Sequence, residues 1–405
     1  MYQSLALLAA LGFLYALISG RVATSWLSGP ILFVTAGFLL GPGAAGLLRL
    51  DIDAESLRLL AELTLAIVLF TDAANADLGR LRRAAGLPER LLLIGLPLTI
   101  LLGFGVAWLL FPGLAPVELA LLAAVLAPTD AALGAPVVSN PAVPADTRAA
   151  LNIESGLNDG ICVPVVLLLL GVAIGIEFEG LPALYVIRIV AEGLGIGLLT
   201  GVALSLAASW LLGRAEAAGW IGEDWNNVTV VALALTAFAA AQALGGSGFV
   251  ACFTGGLAFR PPAGRRHRLL VAAEGTGDAL ALLTWVVFGA GVVHTFLDRI
   301  TPAAFLYAVL SLTLIRMLPV WLSLAGSPVG TPGRLFIGWF GPRGLASIVF
   351  GILIIDADLP HEGILLATIV CTILLSVLAH GITATPLAGM IAGRAKRGRR
   401  SGPGD

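Results

Sequence analysis

Apolar run follows apolar run along this chain, and that succession limits its fold more than any single motif does. A membrane-spanning helix takes about 20 apolar residues. Read at that length, the chain divides into about thirteen segments, at roughly 4–20, 26–47, 57–75, 90–111, 115–139, 147–175, 183–213, 226–245, 247–260, 271–296, 302–325, 334–355 and 362–392. The ninth is short and glycine-rich. Only 12% of the 405 residues are charged and 58% are hydrophobic, with a mean hydropathy of +0.98. A soluble domain carries about twice that charge, so the expected fold is an all-α polytopic membrane protein embedded in a lipid bilayer. The first run has no basic flank and is expected to be a retained span rather than a cleaved signal. Cys162, Cys252 and Cys371 lie in apolar segments and read as small core residues with no disulfide.

Arginine placement sets the expected orientation, because cytoplasmic loops collect positive charge. One set of loops holds Arg21, Arg80, Arg82, Arg83, Arg90, Arg148, Arg214, Arg260, Arg265, Arg266, Arg268, Arg334 and the tail residues Arg394, Lys396, Arg397, Arg399 and Arg400. These are seventeen of the 23 basic residues. The opposite loops hold only Arg49, Arg58, Arg188 and Arg299, among acids such as Asp51, Asp53, Glu55, Glu177, Glu179, Asp356, Asp358 and Glu362. The N-terminus is therefore expected outside and the C-terminus in the cytoplasm, which agrees with an odd number of spans. Because the charges are split between two faces, the net charge of −2 gives no sign of a nucleic-acid partner.

An odd count with a central span suggests two inverted six-helix repeats, at about 1–175 and 226–393, around a linker span at 183–213. Together they make a single transmembrane domain over 1–393, with 394–405 a short basic tail. Transporters built this way carry a discontinuous helix in each half. Pro128-Thr129-Asp130 interrupts the fifth segment and Gly341-Pro342-Arg343-Gly344 the twelfth, at equivalent positions. Proline removes a backbone donor and glycine loosens a helix, so both sites can unwind. One break bears an acid and the other a base. Each is expected to oppose the helix-end charge that its own break exposes, or to line a polar cavity.

The sharpest polar signal is Glu154-Ser155-Gly156-Leu157-Asn158-Asp159-Gly160, which sets two carboxylates in an apolar run that continues to Leu170. A carboxylate there costs several kcal/mol unless it is paired, hydrated or protonated. Ser155 and Asp159 are four apart and share a helix face, whereas Glu154 and Asn158 lie on a neighbouring one. Hydroxyl and carboxylate oxygens suit a small hard cation, and Thr129 and Asp130 would add to the shell. Asp72, near the end of the third span, is open to both an interfacial and a functional reading. Glu62 and Asp77 read as interfacial. Glu154 reads as half of a structural ion pair, with Arg316 as its partner, because an unpaired acid beside a working one would be costly. Arg343 is expected at the crossing of the broken helices. Glu274 and Asp278, one turn apart, read as a solvated helix end rather than a gating pair. His267, His294, His361 and His380 lack metal-ligand spacing. No loop is built to cradle phosphate and no nucleophile motif is present, so neither a nucleotide nor a cofactor is expected, nor enzymatic activity.

The run Ala127-Pro128-Thr129-Asp130, then Glu154 to Gly160, then Arg316, then Gly341-Pro342-Arg343-Gly344 resembles the monovalent cation:proton antiporter-1 family, which includes bacterial Na⁺/H⁺ antiporters and sodium/proton exchangers. The resemblance covers essentially the whole chain. It implies thirteen helices with crossed unwound segments in spans 5 and 12, assembled as a homodimer in the inner membrane of a bacterium. It further implies that Asp159 is the shared proton and cation site and that Asn158 supports the crossing. Thr129, Asp130 and Ser155 complete the site, Asp72 supplies an acid near the ion, and Glu154 pairs with Arg316. Two positions depart from the family pattern: Ala131 stands where a proline is usual, and Gly156 where leucine is frequent. The dozen residues after the last span leave regulation by a C-terminal domain unexpected.

On this reading Asp159 binds a proton or a cation, never both. Burial favours the neutral form of a carboxylate and a bound cation the charged form, so competition at one group couples the two fluxes. With Asn158 in place of a second acid, one Na⁺ would exchange for one H⁺, with K⁺ or Li⁺ as alternative cations. Three rival readings fit the sequence less well. A Na⁺-coupled symporter would need a basic cavity for its anion, a cation channel would need a filter loop, and a membrane scaffold gives no reason to bury Asp130 and Asp159.

Overall fold

The computed structural model describes residues 2–22, 25, 27–48, 54–76, 86–138, 140, 143–177 and 183–400. Arg49, Asp51, Asp53, Asp77, Arg80, Arg82, Arg83 and Glu179 lie outside the described residues, as do the side chains of 392–400. Sixteen helices account for the segments read from the sequence: α1 (Tyr2–Val22), α2 (Gly29–Leu40), α3 (Ala54–Asn75), α4 (Leu87–Leu110), α5 (Pro116–Val125), α6 (Ala131–Val138), α7 (Ala145–Glu177), α8 (Ala183–Ala217), α9 (Asn226–Ala243), α10 (Gly248–Ala258), α11 (Ala263–Val287), α12 (Pro302–Leu312), α13 (Leu314–Ser323), α14 (Thr331–Trp339), α15 (Leu345–Ala357) and α16 (Glu362–Arg400). Among the described residues eight spans, some of them joined from consecutive elements, are long and apolar enough to cross a membrane, and shorter apolar helices stand between them. The chain is an integral membrane protein with an all-helical fold.

Local sequence explains where the helices start and stop. Ser28, Ser247 and Thr301 cap α2, α10 and α12 by accepting the N–H of the third residue onward. Asp358 ends α15 in a left-handed conformation, φ 49°. The fifth segment breaks between Val125 and Ala131 and the twelfth between Trp339 and Leu345. The eleventh is also interrupted, at Thr313, three residues before Arg316. The last helix runs on to Arg400, beyond the apolar run, because the basic tail is rich in helix-forming residues.

Two packing groups meet along a seam. In the first, α2, α3, α8, α9, α10 and α11 pack on one another; in the second, α4 to α7 pack with α12 to α16. Helix α3 faces α7 and α15 across the seam. Large apolar side chains such as Phe13, Leu93, Leu109, Leu199 and Trp210 are exposed on the perimeter, where they meet lipid. Within the first group the helices approach closely at glycines. A Cβ on Gly37 of α2 would overlap the Val286 carbonyl of α11, and one on Gly289 would overlap the Val34 carbonyl of α2. The α11 backbone widens into a π turn over Phe288–Val293 at that contact.

Backbone contact of this kind leaves no room for a side chain. We expect Gly37→Val to lower the melting temperature in detergent sharply, since overpacking costs about 1–3 kcal/mol even where neighbours can yield. Gly105→Ala, where an added Cβ meets nothing within 4 Å, should leave it unchanged.

Candidate functional site

Helix ends buried at mid-membrane expose backbone groups that need partners, and here the two breaks supply them to each other. The Asp130 N–H donates to the Pro342 carbonyl at 2.7 Å. The Asp130 carboxylate accepts from Leu133 N–H at 2.8 Å, capping α6, and from Leu345 N–H at 2.7 Å, capping α15. Arg343 in turn donates through Nη1 to the carbonyls of Ala127 and Pro128, the latter at 3.0 Å, at the C-terminal end of α5. Each charge was expected to oppose its own break or to line a polar cavity: Asp130 does both and also caps the second break, whereas Arg343 serves the opposite break. A Cβ on Gly344 would overlap the Asp130 carboxylate, so the approach requires glycine there.

Helix α7 braces the first break. Asn158 is fully buried; its Oδ1 accepts from Thr129 N–H at 3.3 Å and its Nδ2 donates to Thr129 Oγ1 at 2.6 Å. Thr129 Oγ1 and Ser155 Oγ share a hydrogen bond of 3.1 Å. On the adjacent face of α7, Glu154 receives both terminal nitrogens of Arg316, at 2.6 and 2.8 Å, with both side chains 1% exposed. The pair ties α7 to α13. A Cβ on Gly341 would collide with the Arg316 guanidinium, so the second break lies directly against it.

Asp159, one residue after the brace, faces a cavity of about 220 Å³ lined by Val68, Thr71, Asp72, Asp130, Glu274, Asp278, Trp285 and Leu345 among others. Its Oδ1 is buried with no hydrogen-bond partner in the structure. Gly156 lies one turn away, and a Cβ there would sit 3.6 Å from the Asp72 Cβ, so a side chain larger than methyl would displace Asp72. The structure therefore brings Asp72, Asp130 and Asp159 to one cavity. Thr129 is buried beside it, and Ser155 lines a separate, smaller cavity with Asn152 and Phe340. Among the described residues no group of three or more His, Cys, Asp or Glu side chains is set to hold a metal ion, so these acids do not converge as a multidentate cage.

The far wall of the cavity is formed by the pair that the sequence left between a gating role and a solvated helix end. Glu274 and Asp278 line it, and Asn75 at the end of α3 donates to Glu274. Their four-residue spacing across Gly277 was the available signal. Glu62, read as interfacial, is buried and accepts from Arg58 at 2.7 Å, and Arg58 also bridges to Asp356 of α15. His361, on the same side, pairs with Glu118 at 3.0 Å.

An acid-lined cavity at the crossing of two broken helices, within a helical membrane protein, is the architecture of a membrane transporter fold. The chain belongs to the family described as sodium/hydrogen exchanger, transmembrane, which it matches over residues 5–389. It is 27% identical over 386 residues to a K(+)/H(+) antiporter NhaP2 of Shewanella sp. (strain ANA-3), covering 95% of this chain and 65% of that protein. It is likewise 27% identical over 380 residues to a K(+)/H(+) antiporter NhaP of Alkalimonas amylolytica, covering 92% and 63%. The chain thus spans about 65% of the length of the first of these relatives. Its fold is similar to that of the sodium proton antiporter MjNhaP1 from Methanocaldococcus jannaschii, with TM-score 0.71, 19% identity and coverage of 94% of this chain and 99% of that one. An electron-microscopy structure of the same protein gives TM-score 0.76 at 20% identity, covering 99% and 98%.

The Glu154–Arg316 pair generates a prediction. Removing one partner of a buried pair leaves an uncompensated charge and costs about 3–5 kcal/mol. Glu154→Gln and Arg316→Ala should each lower thermal stability in detergent more than Asp159→Asn does. The double variant should lose less than the sum of the two; simple additivity would show that the contact contributes nothing.

Proposed function

We propose that this chain is a secondary antiporter that exchanges a monovalent cation for H⁺, with the two competing at Asp159. The observation that carries the reading is the buried, unpartnered Oδ1 of Asp159 on a cavity shared with Asp72 and Asp130. A carboxylate in that position accepts either a proton or a cation, and each excludes the other. Asp130 is bonded to backbone N–H groups through both oxygens and lines the cavity, so its role is to hold the crossing beside the ion. Asp72 supplies the opposing oxygen. Thr129, Ser155 and Asn158 act mainly on the break, by fixing the first unwound segment, and Thr129 can add an oxygen to the ion's shell. Glu154 and Arg316 keep the packing around the second break, and Arg343 the crossing itself.

The cation is Na⁺ in our first reading, on the strength of the small hard oxygen donors at the cavity. K⁺ is the second reading, favoured by the activity printed for the Shewanella and Alkalimonas relatives. The cavity wall formed by Glu274 and Asp278 lies one helical stretch from the basic residues Arg265, Arg266 and Arg268. Under the positive-inside rule that end is cytoplasmic, with the N-terminus outside and the C-terminus inside. We assign the protein to the inner membrane of a bacterium, as a homodimer.

Two measurements on proteoliposomes carrying a pH-sensitive dye test this. Na⁺, K⁺ and Li⁺ added in turn should each be scored for proton flux, and Asp159→Asn should abolish the flux with every cation while the protein stays folded. Exchange retained in that variant removes Asp159 as the coupling site. With Na⁺ as the driving cation, a membrane potential imposed with valinomycin should leave the initial rate unchanged, as one-for-one exchange requires. Dependence on potential would mean that a second acid, Asp130 or Asp72, also changes charge during the cycle.

A further inference from the structure

The second break has its own brace, which the exchange reading does not use. Helix α16 presents Ser376, His380 and Thr383 to the end of α14, on one face at four- and three-residue intervals. The Arg343 N–H donates to Ser376 Oγ at 2.6 Å. Ser376 Oγ lies 3.2 Å from His380 Nδ1, and His380 Nε2 lies 2.8 Å from the Trp339 carbonyl. Trp339 Nε1 donates to Thr383 Oγ1 at 2.9 Å, and the Trp339 and His380 rings pack with centroids 5.2 Å apart. Ser376 and His380 are both fully buried.

Both ring nitrogens of His380 lie near carbonyls, Nε2 2.8 Å from that of Trp339 and Nδ1 2.9 Å from that of Ser376. We assign the proton to Nε2, because the Ser376 carbonyl is already bonded within its own helix and Nδ1 has the Ser376 hydroxyl beside it as a donor. Nδ1 is then an acceptor for the Ser376 hydroxyl, which itself accepts from Arg343 N–H. The last carbonyl of α14 and the amide of Arg343 are thus held at four-residue spacing from a single helix. Between those two fixed points lies Pro342, whose carbonyl accepts from Asp130, and just beyond them Leu345, whose N–H donates to the Asp130 carboxylate. Asn158 performs the matching service for the first break, from α7.

We infer that Ser376 and His380 are positioning residues for the ion site: they fix the second unwound segment so that its backbone and Arg343 hold Asp130 on the cavity. Neither residue touches the cavity, and both act through the break. Only the ion-binding half of this inference rests on the antiport reading.

Two readouts in lipid test it, on Ser376→Ala, His380→Leu and the rescue variant His380→Gln, whose amide can reach the Trp339 carbonyl. In deuterium exchange, the amides of 340–346 should exchange about tenfold faster in the Ala and Leu variants, the factor set by one buried hydrogen bond left unmade, and near the wild-type rate in the Gln variant. In proteoliposomes, the cation concentration for half-maximal proton flux should rise about tenfold in the same two variants, with a smaller fall in maximal rate, and recover in the Gln variant. Unchanged deuterium uptake in the Ala and Leu variants overturns the brace. Faster uptake with an unchanged half-maximal concentration overturns its role at the ion site. A wild-type protein with no cation-driven flux sinks the antiport reading alone, because deuterium uptake still decides the brace.

Discussion

Unpaired helix ends in the middle of a bilayer are the constraint from which the rest of this structure follows. Two helices break there, each exposing N–H groups on one side and carbonyls on the other, where no lipid can bond them. The crossing resolves this by exchange: the acid of the first break takes the amides that start α6 and α15, and the base of the second takes the carbonyls that end α5. Two ionised groups are thereby stabilised by backbone dipoles rather than by each other. Neither needs a close counter-ion, so the region beside them can hold a further, exchangeable charge.

Around that crossing the polar residues divide by duty. Glu154 takes both terminal nitrogens of Arg316, and neither residue lines the cavity. Asn158 on α7 and Ser376 with His380 on α16 satisfy the backbone of the two breaks. Asp159 has an oxygen that no protein group satisfies. Buried polar groups in native proteins are overwhelmingly paired, and around the crossing the exceptions are Asp159 Oδ1, Nε and Nη2 of Arg343 and Nε of Arg316; of these residues only Asp159 lines the cavity.

Much of this was legible in the sequence, for a physical reason. Polar residues inside apolar runs are few and expensive, so Asp130, Glu154, Asn158, Asp159, Arg316 and Arg343 stood out without any structure. The helical segments were legible for the same reason, from run length alone. Partner choice was less so. That Asp130 would cap two helices and Arg343 the opposite break depends on how the breaks cross, which spacing along one helix does not encode. Glu274 and Asp278 looked like a solvated helix end because a cavity wall and a membrane surface both tolerate acids at a helical turn. His380 was set aside as lacking metal-ligand spacing, and its partners are a backbone carbonyl and a serine, neither of which leaves a signature. The division into two packing groups is a property of tertiary contacts and had no counterpart in the pattern.

The glycine contacts between α2 and α11 bear on how such a molecule can move. Where backbone touches backbone there are no rotamers to absorb a shift, so Gly37 against Val286 and Gly289 against Val34 admit one register only. The seam where α3 meets α7 and α15 is faced instead with side chains, among them Val68, Thr71, Asp159 and Leu345 around the cavity, and is crossed by the Arg58–Asp356 bridge near one end. Side chains of that kind trade one contact for a similar one as the surfaces slide. The first packing group is therefore keyed internally by missing methyl groups, whereas the seam is a joint of side chains that carries the acid-lined cavity, with one wall from each group.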